Sequence, residues 1–112
     1  MRKLKTREYE KDSRIAGKFN GLPLAIARPV TKEVHPKESV HYHQKATEFY
    51  IFLRGKAEMQ VNNELVQVSA GDVLVIEPGE KHKISKIIEE VDYITIRDTV
   101  EEDKIVENPA LE

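Results

Sequence analysis

The chain has 112 residues, enough for one domain, and its 39% hydrophobic content suits a packed core rather than a disordered chain. A total of 18 basic against 20 acidic residues leaves a net charge of -2, which excludes nucleic-acid binding by bulk charge. There is no cysteine, which excludes disulfides, thiolate metal sites and cysteine nucleophiles.

The charge is uneven along the chain. Residues 1–18 are predominantly basic and residues 100–112 predominantly acidic. Residues 1–20 are therefore set apart as a basic N-terminal segment and 99–112 as an acidic C-terminal tail, both read as solvated, around a folded unit at 21–98. A short helical turn is expected in residues 6–15 or near 100–106. No apolar run approaches the roughly 18–20 residues of a membrane helix, and no apolar stretch follows Met1-Arg2-Lys3-Leu4-Lys5. A soluble, cytoplasmic protein with no membrane partner is the resulting expectation.

Between residues 22 and 97 the chain reads as short strands between turn signals. Leu22 to Val30 is apolar but holds Pro23 and Pro29, which predicts an edge strand or a paired arm. Ser39 to His43 alternates. Glu48 to Leu53 is aromatic and β-branched, and Ala57, Met59 and Val61 alternate with Glu58 and Gln60. Asn62-Asn63 sits where a two-residue hairpin needs positive φ, with Leu65 to Val68 as the return strand. Ala70-Gly71-Asp72 and Glu77-Pro78-Gly79-Glu80 are turns flanking a strand at Val73 to Ile76. His82 to Ile88 and Val91 to Arg97 close the series. Eight or nine strands at this spacing predict an all-β sandwich or small barrel.

Three of the four histidines carry the chemical signal. His41 and His43 are separated by one residue in a strand, so both rings face the same way and can converge on one ion. Glu48 opens the next strand after a short connection, and His82 follows the Pro78-Gly79 turn. The alternative for the His-x-His pair is two hydrogen-bonded histidines without a metal.

The segment from His41 through His43 and Glu48 to Gly55 resembles the first motif of the cupin superfamily, G-x5-H-x-H-x(3–4)-E-x6-G. The segment from Gly71 through Pro78-Gly79 to His82 resembles the second, G-x5-P-x-G-x2-H-x3-N. The resemblance implies a jelly-roll barrel (a double-stranded β-helix), here with an N-terminal arm, and it implies that His41, His43, Glu48 and His82 are four metal ligands. Three positions depart from the pattern. The opening glycine falls at His35, the proline position holds Glu77 with Pro78 next, and the closing asparagine falls at Lys86.

Imidazoles with one carboxylate suit one divalent transition metal, whether Mn, Fe, Ni, Zn, Co or Cu. Four such ligands leave one or two coordination positions for a substrate. Parity from Glu48 turns Tyr50 and Phe52 inward, and these with Met59 are the candidate pocket wall. Phe49, Ile51 and Leu53 face outward and are apolar, so a second layer should cover them; a homodimer is the reading, shared by small cupins, and the N-terminal arm is the alternative. Lys45, Lys81, Lys83 and Lys86 lie in or after the ligand-bearing turns and could steer an anion.

Two functions remain open. One is a metal-dependent enzyme acting on a small oxygenated, sugar-like or anionic metabolite, of isomerase, epimerase or dioxygenase type as the resemblance implies. Tyr50 or a metal-bound water is then the base. The other is a metabolite- or metal-binding sensor barrel without turnover, acting through a partner.

Overall fold

The computed structural model describes residues 10–11, 14–18, 25–34, 38–99 and 101–107. Among them there are nine strands and no helix: β1 (Glu10–Lys11), β2 (Arg14–Lys18), β3 (Ala25–Thr31), β4 (His41–His43), β5 (Glu48–Val61), β6 (Glu64–Ser69), β7 (Val73–Ile76), β8 (His82–Arg97) and β9 (Lys104–Val106). All pairings are antiparallel. One path runs β1-β2-β3-β8-β4-β9, and β5 pairs with β6, β7 and β8. The expected all-β, double-stranded β-helix architecture is what the chain adopts.

Both charged ends depart from expectation. Among the described residues, β1, the start of β2 and β9 fall within the places considered for helical turns, and residues 6–9, 12–13 and 100 of those places lie outside the described residues. Strand β9 pairs with β4, His41 opposite Val106 and His43 opposite Lys104, so this part of the acidic tail is built into the sheet rather than solvated. Strand β3 is not an edge, because β2 flanks it on one side and β8 on the other. Its proline is accommodated by a gap in the ladder. Pairing with β8 runs from Ala25 to Ala27 and resumes at Val30, skipping Arg28 and Pro29, which lacks an N–H. The Arg28 guanidinium spans the gap and donates to both carboxylate oxygens of Asp92, at 3.1 and 2.8 Å.

Four of the expected strands merge into two. Glu48–Leu53 and Ala57–Val61 are one 14-residue strand, β5, and His82–Ile88 and Val91–Arg97 are one 16-residue strand, β8. They pair along their lengths, with register shifts around Arg54, Lys56 and Glu58. Gly55 explains how. Its φ of 85° lies in the left-handed region, and a Cβ there would collide with the backbone carbonyl of Glu90. The glycine thus marks a bulge within a strand rather than a turn between two. The irregularity also changes parity: Glu48, Tyr50 and Phe52 are buried before it, Ala57 and Met59 after it.

The core lies between the curled sheet faces and comprises Tyr50, Phe52, Ala57, Met59, Val68, Ile76, Ile84, Ile87, Val91 and Tyr93. Tyr50 and Tyr93 stack at 5.8 Å between ring centroids, and Phe52 lies 5.6 Å from Tyr93. The expected hairpin at Asn62-Asn63 is present, with Val61 opposite Glu64 and Asn62 at a φ of 54°.

Gly55 and Gly71 provide an internal comparison. Both have positive φ, but a Cβ at Gly71 meets nothing within 4 Å. Gly55→Ala is expected to lose about 3 kcal/mol or more in urea unfolding, and Gly71→Ala about 1–2 kcal/mol, the cost of the backbone conformation alone. Equal losses would show that the Glu90 carbonyl does not constrain the bulge.

Candidate metal centre

Alternation on β4 buries His41 and His43 on one face, while Tyr42 between them is only half-buried. His82 opens β8 directly opposite His41. Glu48 opens β5 after a four-residue connection. The loop before His82 is tied to β4 by Gly79 N–H donating to the His43 carbonyl at 2.8 Å. That loop closes despite Glu77 in the usual proline position, because Glu77 N–H donates to Glu80 Oε1 at 2.9 Å. Lys86, at the motif's asparagine position, is exposed, and His35 lies outside the described residues.

The four residues expected from the motif come together. His41, His43, Glu48 and His82 are all buried, and one ligand atom from each lies within 4.8 Å of the others. The ring centroids of His41 and His82 are 4.4 Å apart, and that of His43 is 5.8 Å from His41 and 6.1 Å from His82. Glu48 Oε1 lies 3.0 Å from His82 Nε2 and 3.5 Å from His43 Nε2.

Each imidazole is oriented from behind. Nδ1 of His41 faces the carbonyl of Ser39 at 2.9 Å, Nδ1 of His82 the carbonyl of Glu80 at 2.9 Å, and Nδ1 of His43 the carboxylate of Asp103 at 2.8 Å. Carbonyls and carboxylates only accept, so every Nδ1 carries a hydrogen and donates it. A neutral ring with its hydrogen on Nδ1 has its lone pair on Nε2, the nitrogen left to bind an ion; an Nε2 that bears a hydrogen instead donates it to Glu48, whose Oε1 lies 3.0 Å from His82 Nε2. Donors bound to one ion at about 2.1 Å are no more than about 4.2 Å apart. The cluster therefore has to close by about half an ångström at most, so the donor set fits a transition metal in number, type and spacing.

Burial shapes the electrostatics. Desolvation pushes His41 down to about 4. Burial also opposes ionisation of Glu48, but the hydrogen bonds and electrostatic pull of His43 and His82 outweigh it and hold the carboxyl at about 2. Burial lowers His43 too, and the Glu48 and Asp103 carboxylates together reverse this, leaving it raised. Tyr50, 5.8 Å from His82 in an edge-on contact, is pushed well above its ordinary range, by burial first and then by Glu48 and Glu38. Its phenol therefore keeps its proton at ordinary pH. Phe52 and Met59 lie within the core, at 1% and 0% exposure.

Two acidic residues at the site escaped the sequence reading. Asp103 stands behind His43. Glu38 accepts from Ile84 N–H at 2.9 Å and lies 3.8 Å from His41 Nδ1, and burial raises it. A carboxylate just before the His-x-His strand was the available signal for Glu38. Of the lysines considered for steering, Lys45 pairs with Glu101 at 2.8 Å and Lys81 with Glu107 at 3.1 Å.

A cupin domain model matches residues 30–93, which spans both motifs and all four clustered residues. This chain belongs to the cupin family. The cupin is 32% identical over 69 residues to the uncharacterized protein MJ1618 of Methanocaldococcus jannaschii, covering 62% of this chain and 54% of that protein. It thus spans about half the length of that curated relative. Among solved structures it is similar to Pac13 of Streptomyces, a nucleoside dehydratase, with a TM-score of 0.73 at 15% identity over 96% of this chain and 91% of that one. It is also similar to oxalate decarboxylase of Bacillus subtilis, with a TM-score of 0.67 at 21% identity over 80% of this chain and 25% of that one. At these identities the likeness establishes the fold.

The cupin's histidines make a pH prediction for protein stripped of metal by a chelator. Between pH 6.5 and about 4 the unfolded chain takes up a proton on His41 that the folded chain refuses, so stability falls as pH drops. Below 4.5, protonation of Glu48 in the unfolded chain adds to the fall, as pH approaches about 2. His43 acts in the opposite sense, with a contribution lost as pH rises through its raised value. The urea midpoint of His41→Gln, measured against pH, should lose much of the wild-type slope between 6.5 and 4. An unchanged slope would mean that His41 is not held neutral by burial.

Proposed function

We propose that this cupin holds one divalent transition metal through His41, His43, Glu48 and His82 and uses it on a small oxygenated metabolite, as a metal-dependent enzyme. One observation carries the reading: three imidazoles, each with Nδ1 engaged behind it, turn Nε2 toward one buried carboxylate within 4.8 Å. A metal bound there would supply Lewis acidity or, if redox-active, access to oxygen. The chain's own residues would orient the substrate and move protons. Glu38, whose burial keeps its proton affinity high, is better suited to carry a proton than Tyr50, which stays neutral and donates. With Lys45 and Lys81 each paired to a carboxylate, a neutral hydroxyl- or carbonyl-bearing ligand of sugar-like type fits better than an anion. Isomerase, epimerase and dioxygenase chemistry all meet this description.

The alternative is a metabolite- or metal-binding barrel without turnover, acting through a partner. It is favoured by the depth of Phe52 and Met59, which reduces the expected aromatic pocket wall to Tyr50. A cytoplasmic location belongs to the proposal. Among the described residues no helix is long and apolar enough to cross a membrane.

A homodimer is also part of the proposal. On the outer face, Phe49 and Ile51 of β5 lie opposite Val75 and Val73 of β7 on one side and Ile96 and Ile94 of β8 on the other. Val73 and Val75 are exposed, so an apolar stripe crosses three strands. A second copy of the chain fits it by the isologous pairing common in dimers.

Elemental analysis by mass spectrometry, on protein purified without a histidine tag or chelator, is expected to show about one transition metal per chain. Fe, Mn or Cu would direct substrate screens to oxygen consumption, and Zn or Ni to isomerisation. His43→Ala and His82→Ala should each lose the metal and keep the far-ultraviolet circular dichroism of the native fold. Wild-type stoichiometry in either variant would remove it from the ligand set, and failure of the wild type to take up any metal would leave the binding barrel. Val75→Asp should convert the dimer to a monomer in light scattering. A monomeric wild type at about 100 μM would overturn the dimer.

A further inference from the structure

Among the described residues of the acidic C-terminal segment, Asp103 is the one whose side chain hydrogen-bonds a clustered histidine. Asp103 is buried, and among the described residues the hydrogen bonds it accepts come from residues 43–46, the end of the His-x-His strand and the connection to Glu48. Oδ1 accepts from His43 Nδ1–H at 2.8 Å, and Oδ2 accepts from the backbone N–H of Lys45 at 2.9 Å and of Ala46 at 2.8 Å. Its main-chain carbonyl accepts from Gln44 N–H at 3.1 Å. We propose that Asp103 is a positioning residue of the metal centre, its carboxylate fixing the tautomer and orientation of His43 so that Nε2 faces the cluster. The proposal rests on the metal reading above and extends it to a residue outside both motifs.

A neutral imidazole has one N–H, and the partner of one nitrogen decides which nitrogen bears it. A carboxylate cannot donate, and Asp103 Oδ1 is nearer to Nδ1, at 2.8 Å, than Glu48 Oε1 is to Nε2, at 3.5 Å, so in the neutral ring Nδ1 carries the hydrogen and Nε2 the lone pair. The other two histidines achieve this with backbone carbonyls, which no side-chain substitution removes. His43 alone depends on a side chain. Pairing of β9 with β4 is made by the backbone and does not need that side chain. A carboxylate behind a ligating imidazole also raises its basicity toward a metal, and loss of such a group typically costs 10–100-fold in affinity.

Asparagine separates this role from support of the turn. In Asp103→Asn the amide oxygen satisfies the backbone N–H groups of Lys45 and Ala46, because an NH2 placed there would face two donors. The NH2 then faces His43 Nδ1 and donates to it, which moves the ring hydrogen to Nε2, toward the cluster. The turn survives and the ligand is turned off.

Two measurements test this on the full-length chain. Nitrogen-15 NMR of the metal-free proteins at about pH 9, above the ordinary imidazole range, reads the tautomer directly. His43 is expected to be protonated on Nδ1 in the wild type and on Nε2 in Asp103→Asn. Competition for Zn2+ against a chromophoric chelator is expected to show an affinity about 10–100-fold weaker in the variant, with native circular dichroism. Wild-type Zn2+ affinity in folded Asp103→Asn, or the same His43 tautomer in both proteins, overturns the proposal. So does an Nε2–H tautomer of His43 in the wild type, a result that needs no variant to fold. If the wild type itself takes up no Zn2+, the metal reading fails, and the tautomer comparison still decides whether Asp103 orients His43.

Discussion

Glu48 is an ionised carboxylate enclosed at one end of a β-barrel, and much of the local structure answers that placement. A buried charge is costly unless it is matched by oriented partners. Here the partners are the Nε2 atoms of His82 and His43 at 3.0 and 3.5 Å, with His41 completing the cluster. Those rings are themselves buried, so their outward nitrogens need partners too. The carbonyl of Ser39 comes from the chain entering β4, the carbonyl of Glu80 from the turn entering β8, and the carboxylate of Asp103 from the chain entering β9. Four segments distant in sequence are thus brought to one end of the barrel by the hydrogen-bond demands of four side chains.

The long β5–β8 ribbon makes that end compatible with an apolar interior. Glu48 and His82 each begin one of the two strands, and the same strands continue into the core at Phe52, Met59, Ile84 and Ile87. The bulge at Gly55 lets a strand that presents even-numbered residues inward at the site present odd-numbered ones further along. A regular strand would turn either Glu48 or Met59 outward. Tyr50 stands at the junction, stacked on Tyr93 toward the core and edge-on to His82 toward the site.

What was legible in the sequence is what is local. His41 and His43 declare a shared face by their spacing, Glu48 and His82 follow within short motifs, and Asn62-Asn63 carries its turn geometry in its own side chains. Outward Phe49 and Ile51 were legible by parity. Less legible was anything that depended on a remote partner. Gly55 reads equally as a turn or as a bulge, because only the Glu90 carbonyl pressing on it distinguishes the two. Lys104-Ile105-Val106 is too short to show a period, and it becomes a strand because β4 offers it a partner. Asp103 is one of five acidic residues at that end of the chain and becomes special only through His43.

Chemistry within this fold is decided less by the ligand set than by what stands around it. The cupin framework is similar to that of a nucleoside dehydratase and of an oxalate decarboxylase, so the barrel alone selects no reaction. The surroundings of this site are more particular. Tyr50 keeps its proton, edge-on to His82. Burial raises Glu38 above the usual carboxylate range. Two of the flanking lysines are neutralised by Glu101 and Glu107, from the same segment that supplies Asp103. One stretch of chain, 101–107, therefore supplies both the carboxylate behind His43 and the partners of Lys45 and Lys81.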